Sequence, residues 1–327
     1  LAISPNLAVG HQWRAESLFY ELERVADAVA AYRRAMELDP ITPQIRIAYA
    51  RSLVAQNREA EALALLREVR TAHADNLNAA AEVSLLELQT GDIAASFRTL
   101  GAAKRAGADA YRLDTLACET LAIIDADADA VRCIDALATS SGDPTGHLAG
   151  LRLLNSAAAG RMDDVHRDWE AIPADARPED PLLMVTLGRE AEVLARLREY
   201  LPGLFEAPPR LRRLDVGAYA LAASLLARQG QSGDAEALLR AGLARFADSP
   251  RNGEWGIGWS EATAHALLGD TAAACRSIAA AQGRGRVEYF AEFRAIPGLD
   301  ALRADPCFAP LAAAHRERVE QALATLR

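Results

Sequence analysis

Three aspartates in alternation, Asp125, Asp127 and Asp129, are the residues of this chain best spaced for metal chemistry. Hard oxygen ligands at every second position open a Ca²⁺-binding loop, which also needs glycine at its sixth position and glutamate at its twelfth. Those positions hold Ala130 and Ala136, so the expected structure is a solvated turn between helices, with no metal. The histidines, His11, His73, His147, His166, His265 and His315, are scattered, and none pairs with another at i+3 or i+4. That spacing does not build a zinc site. Gly253-x-x-Gly256-x-Gly258 has the glycines of a phosphate loop but lacks the Gly-Lys-Ser/Thr ending. No Gly-x-Ser-x-Gly elbow occurs, and Asp163-Asp164 falls in an expected turn. Cys118, Cys133, Cys275 and Cys307 form no Cys-x-x-Cys pair and read as small apolar packing residues. A bond between Cys118 and Cys133 is conceivable, because they fall on the two helices of one expected pair. No cofactor, metal or catalytic residue is expected.

The residues around these positions belong to helices. Alanine is the most abundant residue, aromatics are 6% and β-branched runs are scarce, which suits closely packed helices better than a sheet. The formal charge is −9. Nucleic-acid phosphates demand a basic footprint, so direct nucleic-acid binding by this segment is not expected. Nearly every basic residue is arginine, Lys104 being the single lysine, and an arginine-rich stretch from Arg189 to Arg213 reads as a solvated face and loop. No apolar run approaches the ~18 residues of a membrane span. The chain opens on Leu1-Ala-Ile-Ser4, which looks like the tail of a preceding repeat, so a fragment of a longer protein is expected.

The segment Ala28-Val-Ala-Ala-Tyr32-Arg-Arg-Ala35-Met-Glu-Leu-Asp-Pro40 reads as the second helix and stop signal of a helix pair. Turn-forming residues recur at Asn57, Gly91, Gly160, Gly230 and Gly269, in steps of 34, 69, 70 and 39. The first three steps are about one, two and two lengths of a 34-residue unit. A helix pair of that size cannot bury its apolar face alone, so neighbouring pairs must stack. Pro5 and Pro40 are 35 apart, which predicts one extra residue in the first turn. Residues 1–172 read as the N-terminal repeats, and 214–327 as the C-terminal repeats with a cap. Between them, residues 173–213 carry prolines at Pro173, Pro178, Pro181, Pro202, Pro208 and Pro209, which no run of helix interiors accommodates.

Ala28, Tyr32, Ala35 and Pro40, with Ala50, Gly91, Ala223 and Gly230, resemble the tetratricopeptide repeat family. That resemblance implies an all-α fold, a right-handed α-solenoid of about eight helix-turn-helix repeats closed by a C-terminal helix. It also implies that the first helix of each pair lines a concave groove. Candidate groove residues are then Gln12, Glu16, Tyr20, Gln44, Arg51, Gln89, Trp259 and Thr263, with inter-repeat packing the competing role for Trp13 and Trp259. The family's clamp for a C-terminal carboxylate needs Lys and Asn partners that are absent beside Arg51, so chaperone-tail binding is not expected. The tail Leu299-Asp300-Ala-Leu302-Arg303-Ala-Asp305-Pro306-Cys-Phe308 is similar to the close of repeat arrays in bacterial winged-helix one-component transcription regulators and class III nucleotide cyclases. The resemblance implies a non-catalytic scaffold for a protein or peptide, expected as the regulatory part of such a regulator, with an accessory role beside a cyclase as the alternative. The compartment stays open between bacterial cytoplasm and, for a membrane-tethered parent, periplasm.

Overall fold

The computed structural model describes residues 5–141, 143, 146–173, 177–253 and 256–326, so the opening Leu1–Ser4 and Trp255 lie outside the described residues. Every regular element among the described residues is helical, as expected. The chain divides into two compact units. One comprises Leu1–Leu113 and Asp248–Ile257; the other comprises Asp114–Ala247 and Gly258–Arg327.

In the first unit α1 (Ala8–Glu16) pairs with α2 (Val25–Leu38), α3 (Pro43–Val54) with α4 (Glu59–Ala72), and α5 (Leu77–Gln89) with α6 (Ile93–Arg105). Each pair also packs on the next. Ala28 and Tyr32 are buried in one core with Ala50, Leu53, Ala62, Leu66 and Val83, and Ala35 is buried as well. Alanine at these crossings lets the helix axes approach, while the longer side chains fill the space beside them. Local signals set the helix ends. Asn76 and Asp92 accept hydrogen bonds from the backbone N–H of Ala79 and Ala95, at 2.9 and 2.8 Å, and Pro43 begins α3 where a missing N–H costs nothing. A π-helical segment, Ser17–Glu21, follows α1; its widened backbone accommodates an extra residue at the end of the first helix, before the turn in which the Pro5–Pro40 interval places it.

The turn between paired helices is left-handed at Asn57, Gly91, Gly160, Gly230 and Gly269, and also at Glu23 and Asp125. Glu23, Asn57, Gly91 and Asp125 stand 34 residues apart. The repeat is therefore more regular than its glycines reveal. The burial around Asp125 corrects one expectation. Its side chain is buried, with Oδ2 3.2 Å from His315 Nε2, and burial pushes the Asp127 carboxyl above its ordinary value. The turn is internal rather than solvated.

α7 (Ala110–Ile123) begins in the first unit and continues in the second. There follow α8 (Asp127–Ser141), α9 (His147–Ala158), α10 (Met162–Ala171), α11 (Pro181–Thr186) and α12 (Glu190–Tyr200). Two 3-10 turns, Pro202–Phe205 and Arg213–Gly217, lead to α13 (Tyr219–Arg228) and α14 (Ser232–Phe246). The chain resumes the second unit with α15 (Ser260–Leu267), α16 (Thr271–Gly283), short α17 (Glu292–Ala295) and α18 (Asp300–Ala304), and terminal α19 (Phe308–Ala324). The tail motif supplies core: Ile296, Leu299, Leu302 and Phe308 are buried with Trp259, Phe290 and Phe293. Both cysteine pairs are bonded, Cys118–Cys133 and Cys275–Cys307, with Cα atoms 5.4 and 6.2 Å apart. This corrects the reading of all four as packing residues.

Candidate functional site

Three residues from three successive helix pairs of the first unit meet in one row. Tyr20 lies in the π-helical turn after α1, Arg51 on α3 and Glu82 on α5. Arg51 donates from Nε and Nη2 to Glu82 Oε1, at 3.0 and 2.5 Å. Glu82, and next to it the Tyr20 phenol, hold the Arg51 guanidinium above its ordinary pKa. Equal intervals of 31 residues separate Tyr20 from Arg51 and Arg51 from Glu82, three short of the 34-residue repeat, so each step falls about one helical turn before the equivalent position and the row slants across consecutive first helices. Sequence reasoning missed Glu82. Its signal was the carboxylate lying one such interval beyond Arg51.

The other candidates fall into distinct surroundings. Gln12 donates to Glu16 one turn later on α1, at 2.9 Å. Gln44 is exposed at the start of α3. Trp13, beside Gln12, is 64% exposed, which excludes the packing role within this structure. Gln89 is occupied. Its Oε1 accepts the Gly253 N–H at 3.1 Å, within a loop that also sets the Arg251 N–H on Asn57 Oδ1 at 3.0 Å.

That loop lies against the first unit because Gly253 has no side chain. A Cβ there would stand 2.7 Å from Val54 Cγ1, at a φ of +81°. The anchoring partners lie more than 160 residues apart in sequence, beyond the reach of any repeat pattern.

Trp259 and Thr263 are corrected outright. Trp259 is 2% exposed and Thr263 1%. The Trp259 indole N–H donates to the Glu288 carbonyl at 2.6 Å, and its ring packs edge-on to Phe290 and Phe293. Buried indoles seek such a partner for their one donor. Neither residue can line a groove.

Polar groups inside the first unit are structural. Glu87 is buried on α5, yet it accepts from Thr99 Oγ1 at 2.7 Å and from Arg67 Nη2 at 2.8 Å, which compensates the cost of burying its charge. The row at Arg51 differs in its carboxylate, since Glu82 is 20% exposed where Glu87 is 5%, and its arginine side chain is 48% exposed. It can donate outward while it stays oriented by Glu82. None of the described helices is long and apolar enough to cross a membrane.

Residues 19–112 match the model of the tetratricopeptide repeat family, a stretch that falls within the first unit. No curated protein matches the chain. Among solved structures, the crystal structure of the P58(IPK) TPR domain is 14% identical. That similarity covers 96% of this chain and 99% of the other, with a TM-score of 0.28.

Proposed function

We propose that the chain is a non-catalytic scaffold whose first unit binds a protein or peptide along the faces of its first helices. The observation that carries this reading is the row Tyr20–Arg51–Glu82, which presents an oriented, solvent-reaching arginine between two helix pairs. Gln12, Glu16 and Gln44 supply hydrogen-bonding side chains on the same set of helices, and Trp13 adds an exposed aromatic. Arg, Tyr and Trp are the side chains that most often dominate interface energetics. A photo-crosslinking residue placed at Gln44 or Trp13 should capture a partner in native cells, while one at Glu68, on a second helix, should not. Equal capture at all three positions would overturn the assignment of this face.

Within that reading, the scaffold serves as the regulatory part of a bacterial transcription regulator, supported by the tail motif from Leu299 to Phe308. Deleting residues 1–327 from the chromosomal gene should then alter transcript levels and leave cyclic nucleotide levels unchanged. The reverse result would assign the scaffold to a nucleotide cyclase instead.

A further inference from the structure

The second unit contains a half-open cavity of about 390 Å³ lined by the end of α7, by α9, α11 and α17. A volume of this order suits a small molecule. Leu151, Leu154, Leu182 and Leu183 form its apolar walls, whereas its charged lining is entirely acidic: Glu119, Asp125, Asp180 and Glu292. No lysine, arginine or histidine lines it among the described residues.

Three of the four carboxylates already have partners. Glu119 Oε1 lies 2.5 Å from His147 Nε2. Asp125 lies between His315 at 3.2 Å and Arg294 at 3.7 Å. Asp180 caps α11 by accepting the Leu183 N–H at 2.9 Å. Glu292 has no ion-pair partner among the described residues, and it retains accessible surface while lining the cavity. Asn155, also in the lining, is 2% exposed. Its Nδ2 donates to the Asp127 carbonyl at 3.3 Å, while Oδ1 receives no hydrogen bond from any described residue. That oxygen has under 1 Å² of accessible surface and so lies behind the cavity wall, which leaves Glu292 as the polar group open to a ligand.

We infer that this cavity binds a small organic ammonium ion, a primary amine carried on an apolar body. The ammonium group donates to the Glu292 carboxylate, and the body lies against the four leucines. Leucine walls offer nothing to the hydration shell of a bare metal ion, which separates the two kinds of cation. An anion would meet only like charge.

The electrostatics of the pocket give the binding a pH dependence. Burial pushes the Glu292 carboxyl up to about 7; Arg286 opposes this shift, and Asp180, Asp125 and Glu288 reinforce it. Tyr289 and Glu119 also line the pocket, and Arg294 lies two residues on from Glu292 in α17, paired to Asp125. Below pH 7 the carboxyl is largely neutral and must release a proton to hold an ammonium ion. Amine affinity therefore rises with pH through 7, since an alkylammonium stays protonated well above that range.

Calorimetry of the intact chain with hexylammonium, hexan-1-ol and hexanoate tests the assignment. Hexylammonium should bind at one site about tenfold more tightly than the alcohol, as a charge-assisted contact demands. Hexanoate should not bind. Between pH 6 and 8 the amine affinity should rise, with proton release at the lower pH seen as a dependence on buffer ionisation heat. Glu292→Gln should remove the preference for amine over alcohol, and Leu154→Trp should abolish the binding of both by filling the cavity. Equal affinity for amine and alcohol, heat with Ca²⁺ or Mg²⁺ alone, or a pH-independent amine affinity in the unsubstituted protein would each overturn the proposal. The last arm needs no variant to fold.

Discussion

Gly242 in α14 faces the ring of Tyr219 in α13 so closely that a Cβ there would lie 2.2 Å from Tyr219 Cε2. The ring cannot retreat. It is fully buried, tilted against Phe246 at 5.4 Å, and its hydroxyl donates to the Ser260 carbonyl at 3.1 Å. Gly242→Ala should therefore destabilise by about 1–3 kcal/mol through overpacking, despite the better helix propensity of alanine. Most of that cost should disappear in a Tyr219→Leu background. Thermal unfolding of the four proteins measures both effects, and an unchanged midpoint in Gly242→Ala would mean that α13 and α14 do not pack at this distance. In the sequence Gly242 is a small residue in a helix and nothing more, because the ring that requires it lies on another element. Glu292 gives a second test at this scale. Its folded pKa of about 7 stands above the ordinary 4.5, so the folded state holds a proton that the unfolded chain releases between those values. Stability should fall as pH rises from 4.5 to 7, then level off. Glu292→Gln should raise the thermal midpoint at pH 8 relative to the parent and change it little at pH 4; a constant difference across pH would refute the shifted carboxyl.

At the scale of elements, the turns show which parts of a repeat can be read and which cannot. Glycine or asparagine at positions 57, 91, 160, 230 and 269 marks a left-handed residue because few other side chains tolerate that backbone. Glu23 and Asp125 adopt it as well, and their identities conceal it. At Asp125 the fold supplies what the residue type does not: the aspartate sits among Arg294 and His315, contributed by elements some 170 and 190 residues later. The cysteines divide in the same way. Cys118 and Cys133 lie on the two helices of one pair, where a bond is conceivable from the periodicity. Cys275 and Cys307 are joined across α17 and α18, segments too short for a periodic pattern to place. The Cys275–Cys307 bond closes a loop of 32 residues and ties α16 to the start of α19. Replacing both by serine should cost about 2–4 kcal/mol, expose the Trp259–Phe290 cluster and accelerate proteolysis of α19. Retention of the parent's protease resistance would show that the aromatic core holds the terminal helix without the bond.

For the molecule as a whole, the exposed polar residues matter less singly than in rows that cross from one helix pair to the next. Sequence periodicity identified the helices that carry Tyr20 and Arg51, because apolar spacing fixes which side of a helix faces inward. It could not separate Trp13 from Trp259, since an indole suits either an interface or a core until its neighbours are known. The structure leaves Trp13 at the surface and encloses Trp259. The Arg51–Glu82 pair is open to solvent on the arginine side, and pairs so exposed contribute little to stability, about 0–1 kcal/mol. Arg51→Glu should thus shift the thermal midpoint only slightly, while placing two carboxylates together and removing the outward donors. Partner affinity should fall about tenfold or more, the size of effect expected when an oriented arginine leaves an interface. The charge-swapped Arg51→Glu/Glu82→Arg protein restores the pair with its donor moved to the next helix. If the row acts by presenting an arginine between two helix pairs, the swap should recover part of the lost affinity. Loss of affinity with no recovery would make the position of Arg51 itself the determinant, and unchanged affinity in Arg51→Glu would remove the row from the binding face.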